Sequence, residues 1–304
     1  MTIARAPGKL VLSGSYSVLW GAPALVAAVD RFAVADSSRP PVHVAEEVTA
    51  AVRLGMLERP VFVDASALRT PEPGGGSRKL GLGSSAAILL ATLVACRGAP
   101  KDDEDRQALF EAALRAHREA QGGGSGIDVA ASTFGGVLRF RRADDVPRVT
   151  PQALPVGVVI SVFACDEPAV TASFVARVRH LATRAPLAFE PLMTRAKAGA
   201  HATADATDVA AFLGGLDQQR RALFELGQAA EVPIFTPEVA ELAELAEHDG
   251  SVFLPSGAGG GDIAFFAGRR APSAAFEREA VKRGLLPLPL DLGAPGAAVT
   301  EPGA

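Results

Sequence analysis

Tyrosine and tryptophan occur once each in these 304 residues, as Tyr16 and Trp20, and cysteine only twice, as Cys96 and Cys165. Two cysteines so far apart make neither a disulfide framework nor a zinc ligand set, which needs closer pairs. They read as two buried free thiols in a reducing cytosol. A basic surplus is missing too: 30 Lys and Arg face 34 Asp and Glu, a net charge of −4. That balance argues against nucleic acid as a partner, since its binders gather excess cations on one face. Lysine is especially scarce, because all the basic residues except Lys9, Lys79, Lys101, Lys197 and Lys282 are arginine. A membrane span is not expected, despite a mean hydropathy of +0.22. Leu10 to Val29 carries no charge and nearly matches a spanning helix in length. Its serines, glycines and proline instead read as a buried pair of strands joined by a turn. No basic segment followed by an apolar core and a small-residue cleavage site opens the chain. A soluble cytoplasmic protein is the expectation. With 48% hydrophobic and 21% charged residues it has ample material for a core.

The chain reads as two α+β halves, residues 1–150 and 151–304. Short β-rich runs at 3–12, 24–35 and 42–64 predict an N-terminal sheet. TPEPGGGSRK, residues 70–79, has the composition of a flexible loop. Helices are predicted over Ser84 to Cys96, Asp102 to Gln121 and from Asp128, followed by a strand, VLRF. The second helix places Leu109, Phe110, Ala113, Leu114 and His117 on one face. After residue 150 come a buried strand (PVGVVISVFAC), four helices, a strand–glycine loop–strand unit (SVFLPSGAGGGDIAFFAG), a last helix and a closing strand.

Three glycine-rich segments carry chemistry. KLGLGSSAA, Lys79 to Ala87, formally fits a dinucleotide fingerprint through Gly81, Gly83 and Ala86. That motif needs a strand immediately before it, and PEPGGGSRK cannot be a central strand. What remains is a glycine turn opening a helix, whose free N–H groups and positive dipole end suit an anion. Ser84 and Ser85 add hydroxyls and Lys79 a cation; a plain serine-capped helix is the structural alternative. SGAGGGD, Ser256 to Asp262, holds more glycines than a hairpin needs, which points to close approach of its backbone to a ligand or another loop. GGGSGIDVAAS places Asp128 at a helix start, where it is either a cap or a group able to take a proton from a substrate hydroxyl. Near the N-terminus, Pro7-Gly8 sets Lys9 at the mouth of a strand.

In this order, APGKLVLSGSYSVLWG, KLGLGSSAA and PSGAGGGD resemble the three signature regions of the GHMP small-molecule kinases. The resemblance implies an N-terminal domain like domain 2 of ribosomal protein S5 (1–150), a ferredoxin-like C-terminal domain (151–304) and an active site between them. It implies ATP held by Lys79, Gly81, Gly83, Ser84, Ser85 and Ala86, with Ser256, Gly257, Ala258 and Gly259 closing over the phosphates and Mg2+ near Ser85. Lys9 and Asp128 match the catalytic positions. Tyr16, Ser125, Gly126, Thr171, Ser173 and Gly260 fall where the family contacts a small-molecule phosphate acceptor.

Within the family, GAPALVAAVDR, AHREAQGGGSGIDVAAS and GAGGGD are most like the phosphomevalonate branch. The implied reaction is ATP-dependent conversion of 5-phosphomevalonate to the 5-diphosphate, in the mevalonate route to isoprenoids. Mevalonate or another alcohol as acceptor is the alternative, and a non-catalytic metabolite-binding relative a third. Monomer and homodimer stay open. Three departures stand out: Ser15 where the family usually has glutamate, Leu254 where lysine is common in that branch, and His117, with Glu119 nearby, at the spacing of a metal-binding glutamate.

Overall fold

A computed structural model describes residues 2–71, 76–143, 146–165 and 171–300, excepting the side chains of Pro71, Thr171 and Ala172. Along the chain, β1 (Ile3–Ser13) and β2 (Pro23–Asp36) precede α1 (Glu46–Arg53), β3 (Phe62–Asp64), β4 (Arg69–Pro71) and β5 (Ser77–Lys79). Three helices follow, α2 (Ser84–Arg97), α3 (Asp103–Gln121) and α4 (Ile127–Phe134), then β6 (Val137–Arg141) and β7 (Arg148–Pro151). After β8 (Val159–Cys165) come α5 (Thr171–Arg184), α6 (Pro186–Ala204), α7 (Val209–Ala230) and α8 (Pro237–His248). The remainder is β9 (Val252–Pro255), β10 (Ile263–Gly268), α9 (Ala274–Lys282), β11 (Leu285–Pro287) and β12 (Ala298–Val299). Two compact units result. Unit 1 comprises Met1–Leu10, Val26–Gln152 and Asp291–Ala304; unit 2 comprises Val11–Leu25 and Ala153–Leu290.

Unit 1 is built on a sheet of order β12-β1-β2-β6-β7, with β3 also pairing β2. The last strand returns to the first, Ala4 opposite Val299. The uncharged run does form buried strands on either side of a turn. Helix α2 is apolar nearly all round and buried along most of its length, as a core helix must be, and it packs against α1, α3 and α4. Helix α3 starts at Asp102, whose side chain accepts from the Asp105 N–H at 2.8 Å. It buries Phe110, Ala113, Leu114 and His117, the face its periodicity predicts.

Three local expectations are corrected. Residues within 42–64 expected as strand fold as α1, because Glu46 and Glu47 sit in its first turn, Arg53 in its last, and Val48, Ala50 and Ala51 share a buried side. The loop expected at 70–79 contains an antiparallel ribbon pairing Arg69 with Lys79 and Pro71 with Ser77; residues 72–75 lie outside the described residues. Cys96 is exposed beyond the buried part of α2, whereas Cys165 is buried.

Unit 2 carries an antiparallel sheet of order β11-β8-β10-β9. Numbered within the unit, that order is 4-1-3-2, with helices crossing between its first and second strands and between its third and fourth. This is the ferredoxin-like split βαβ arrangement that the resemblance implies, its first crossover enlarged to α5–α8. Phe276 of α9 meets Phe266, Phe253 and Phe163 of the sheet at ring-centroid distances of 5.2, 5.4 and 5.9 Å. A second core joins α5, α6 and α7 around Phe189, Met193 and Leu223, and includes Tyr16.

Helices α6 and α7 approach closely at Gly199 and Gly215. A Cβ on Gly215 would lie 2.5 Å from the Thr203 nitrogen. Gln219 is fully buried beside this crossing. Its Oε1 accepts the Gly14 N–H at 2.7 Å, and its Nε2 donates to Ser13 Oγ and Thr203 Oγ1, both at 3.0 Å. Gln219→Leu strands these buried partners and is expected to cost about 1–3 kcal/mol. Arg221→Ala breaks only exposed ion pairs and should cost under about 1 kcal/mol. Denaturant unfolding of the two variants measures the difference.

Candidate active site

In unit 1 the turn before α2 is anchored by buried Leu80 and Leu82, while Gly81 and Gly83 take left-handed φ values of +73° and +74°. Lys9 grips this turn twice: its backbone N–H donates to the Leu82 carbonyl at 2.8 Å and its Nζ to the Gly81 carbonyl at 2.7 Å. A Cβ on Gly83 would sit 2.9 Å from Lys9 Cγ and 3.4 Å from Asp128 Cβ. The missing side chain is therefore what lets Lys9 and Asp128 flank the turn together. Gly83 is also the N-cap of α2, and no side chain caps that end. The serine-capped alternative does not hold: Ser84 is buried in the first turn, followed by half-buried Ser85 and buried Ala86. First-turn N–H groups without a side-chain cap keep their capacity for an anion.

Asp128 lies in the first turn of α4, behind its N-cap, Gly126. Gly126 is left-handed at φ +82°, and a Cβ there would reach 2.4 Å from Leu114 Cδ1. Ser125 Oγ accepts the Ile127 N–H at a long 3.4 Å. Asp128 is thus not the cap. Its Oδ1 accepts the Val129 N–H at 3.0 Å, and its Oδ2 stands 3.2 Å from Nε2 of His117 on α3. Both side chains are largely buried, at 21% and 3% exposure. Glu47 of α1, buried as well, accepts from Gln121 Nε2 at 2.8 Å.

Burial opposes ionisation of Asp128, but the His117 imidazolium, the Lys9 ammonium and the Val129 N–H together hold its pKa down at about 2. Burial also opposes charge on His117, and the Asp128 carboxylate, reinforced by Glu47, raises its pKa above the ordinary value. Lys9, Asp128, His117 and Glu47 form a cluster of alternating sign. The pairing of His117 with Asp128 and the burial of Glu47 were not deduced from the sequence. Their signal was helical spacing: His117 falls on the buried face of α3, and Glu47 was hidden by reading its segment as strand.

The remaining predicted residues are placed as follows. Lys79 is exposed at the end of β5. In unit 2, Tyr16 is buried with a left-handed φ of +58°, and its hydroxyl donates to the Ala258 carbonyl at 2.6 Å; burial raises its pKa. Ser256 Oγ accepts the Val11 N–H at 2.9 Å. Gly257, Gly259 and Gly260 are left-handed. Gly259 packs on the Ile234 carbonyl and Gly260 on the Phe174 ring, each leaving no room for a Cβ. Ser173 is exposed on α5, and the side chain of Thr171 lies outside the described residues. Unit 1 thus brings together Lys9, Gly81, Gly83 and Asp128, and unit 2 brings together Tyr16, Ser256, Ala258 and Gly260.

The model of the GHMP kinases N terminal domain matches residues 73–136, a span holding the glycine turn, α2, α3 and α4. The phosphomevalonate kinase of Streptomyces sp. (strain CL190) is 29% identical, over 95% of this chain and 96% of its own. The mevalonate kinase of Archaeoglobus fulgidus is also 29% identical, over 93% of this chain and 98% of its own. Residues 73–136 thus match a GHMP kinase N-terminal domain, and the chain is similar to two kinases of the mevalonate route over nearly its whole length. The crystal structure of a Lin0012 protein from Listeria innocua shares the fold, with a TM-score of 0.81 and 22% identity across 99% of both chains. Among the described residues, no helix is long and apolar enough to cross a membrane.

Gly83→Ala carries the left-handed backbone cost of roughly 1–2 kcal/mol plus the collision with Lys9. Gly122→Ala, also left-handed but with open space around its Cβ, carries the backbone cost alone. Gly83→Ala should therefore lose more thermal stability than Gly122→Ala; equal losses would mean that Lys9 moves aside freely.

The buried pair also sets a pH dependence. With its pKa depressed from 3.8 to about 2, Asp128 contributes fully above 3.8 and loses that contribution as pH falls through about 2. With its pKa raised above 6.5, His117 contributes fully below 6.5 and loses that contribution as pH rises through the raised value. The stability lost on Asp128→Asn should be greatest between these limits and shrink at higher pH. Denaturant unfolding across pH measures it, and a pH-independent loss contradicts the pairing.

Proposed function

We propose that this kinase transfers the γ-phosphoryl group of ATP to 5-phosphomevalonate, giving 5-diphosphomevalonate and ADP. The supporting observation is the cradle in which Lys9 and Asp128 flank Gly83 at the uncapped start of α2. Phosphoryl transfer needs positioning and charge neutralisation more than covalent help, and this cradle supplies both. The N–H groups opening α2, with the Ser84 and Ser85 hydroxyls, would receive nucleotide phosphate oxygens. Lys9 would stabilise negative charge on the acceptor oxygen as it attacks phosphorus. Asp128, held as an anion beside Lys9 and His117, would orient the acceptor hydroxyl by accepting its hydrogen bond.

Mg2+ would neutralise phosphate charge when bound. Among the described residues no three His, Cys, Asp or Glu side chains form a metal cage. That donor set fits an ion carried mainly by phosphates and water, which needs only one or two protein oxygens; the Ser85 hydroxyl would hold it.

The phosphomevalonate acceptor is favoured by GSGIDVA around Asp128 and by Asp262 after the glycine loop. Equal identity to a mevalonate kinase favours mevalonate as the second reading. An ADP-release assay with mevalonate, 5-phosphomevalonate and homoserine distinguishes them, and turnover is expected with 5-phosphomevalonate. Turnover of mevalonate alone selects the second reading. Asp128→Asn should reduce turnover about 10²-fold while nucleotide affinity changes little; undiminished turnover would leave Asp128 with a structural role only.

A further inference from the structure

His117 is a buried titratable side chain that the proposed transfer does not use. It is 2% exposed. Its Nε2 lies at ion-pair distance from Asp128 Oδ2, off the line of a hydrogen bond, and its Nδ1 has no hydrogen-bond partner. A histidine serving only to fill the core would sit more cheaply as a leucine or phenylalanine, since burying a polar group without a partner is costly.

We infer that His117 is a positioning residue for Asp128: its Nε2 faces Oδ2 while the Val129 N–H holds Oδ1, so the carboxylate is fixed as an anion beside Lys9.

Each oxygen then has one neighbour that sets the rotamer, and the carboxylate keeps lone pairs for a hydroxyl. The arrangement depends on charge from several elements. Three helices pack on α3. Helix α4 supplies Asp128 and α1 supplies Glu47, whose carboxylate also favours the imidazolium. Helix α2 has Arg97 as its one charged residue, exposed in its last turn. On α3 itself, Arg118 and Glu119 follow His117 in sequence, and Glu119 pairs outward with Arg53. Lys9 of β1 acts on the far member of the pair, Asp128. An imidazolium with two carboxylates nearby is electrostatically reasonable even where Nδ1–H lacks an acceptor.

Orientation of an attacking hydroxyl is sensitive to small displacements, and a misplacement of about 1 Å can cost on the order of 10²-fold in rate. Loss of His117 should therefore act on turnover more than on binding. This kinetic consequence rests on the kinase reading, whereas the pairing itself does not.

The test has two arms. In the first, the titration of His117 is followed by NMR on the full chain carrying isotope-labelled histidine, without nucleotide or acceptor. His117 is distinguished from the other four histidines by its burial. Wild-type His117 is expected to titrate above 6.5, the ordinary histidine value, and Asp128→Asn should lower that midpoint clearly. A midpoint that Asp128→Asn leaves unmoved overturns the inference. In the second arm, His117→Gln and His117→Phe are compared in the ADP-release assay. Both should lower kcat about tenfold or more with KM for ATP little changed, and Phe, which restores ring volume without charge, should not rescue. Rescue by Phe would reduce His117 to a packing role and overturn the inference. If neither variant folds, the Asp128→Asn titration decides. Absence of turnover with every acceptor would remove the kinase reading while the NMR arm still reports on the pair.

Discussion

The double grip of Lys9 on the turn before α2 is the contact on which the arrangement of unit 1 depends. Its N–H binds the Leu82 carbonyl and its ammonium the Gly81 carbonyl, so strand and turn are fixed together before any ligand is considered. That grip requires space at Gly83, where a methyl group would strike the lysine stem. It also requires the left-handed backbone that glycine adopts without penalty. The same residue ends the turn, starts the helix and leaves the helix end without a side-chain cap. A serine or aspartate cap would stabilise α2 by about 1 kcal/mol but would occupy the N–H groups that an anion needs. Local stability and anion capacity compete at this one position.

Unit 2 solves a related problem differently. Its glycine loop is held by contacts from outside it: Tyr16 through the Ala258 carbonyl, the Val11 N–H through Ser256, and Ile234 and Phe174 against Gly259 and Gly260. Left-handed backbone at a non-glycine residue costs on the order of 1–3 kcal/mol and persists only where surroundings over-determine it. Tyr16 is such a residue, and its ring lies in the core that α5, α6 and α7 share. The single tyrosine of the chain thus sets a loop whose glycines could otherwise sample many conformations.

Much of this was legible in the sequence, for physical reasons that can be traced. Glycines at 81 and 83 marked a turn opening a helix, and the structure shows that Gly83 makes room for Lys9 and Asp128. The apolar spacing of α3 placed His117 inside. The antiparallel order of unit 2 followed from a resemblance carried by three motifs in order, since strand pairing is a long-range property that local patterning does not encode. The misread segment around Glu47 failed because a short run with β-branched residues fits strand and helix alike until its acidic first turn is weighed. Gln219 was invisible for another reason: its partners Ser13 and Gly14 are remote in the chain and leave no local signature.

Scarce lysine and near-neutral net charge acquire a meaning at the buried cluster. Lys9, Asp128, His117 and Glu47 nearly cancel when the imidazole is protonated, so the cluster adds little net field for attracting a polyanion. An anion would then be held chiefly by backbone N–H groups and hydroxyls, which carry no formal charge to register in composition. In that setting one lysine is not interchangeable with arginine. An ammonium is a compact charge that can satisfy the Gly81 carbonyl beside a glycine turn, whereas a guanidinium presents a broad planar fork against a space already limited by Gly83 and Asp128. A chain that uses arginine for nearly all its cations therefore has a steric reason to keep lysine at position 9.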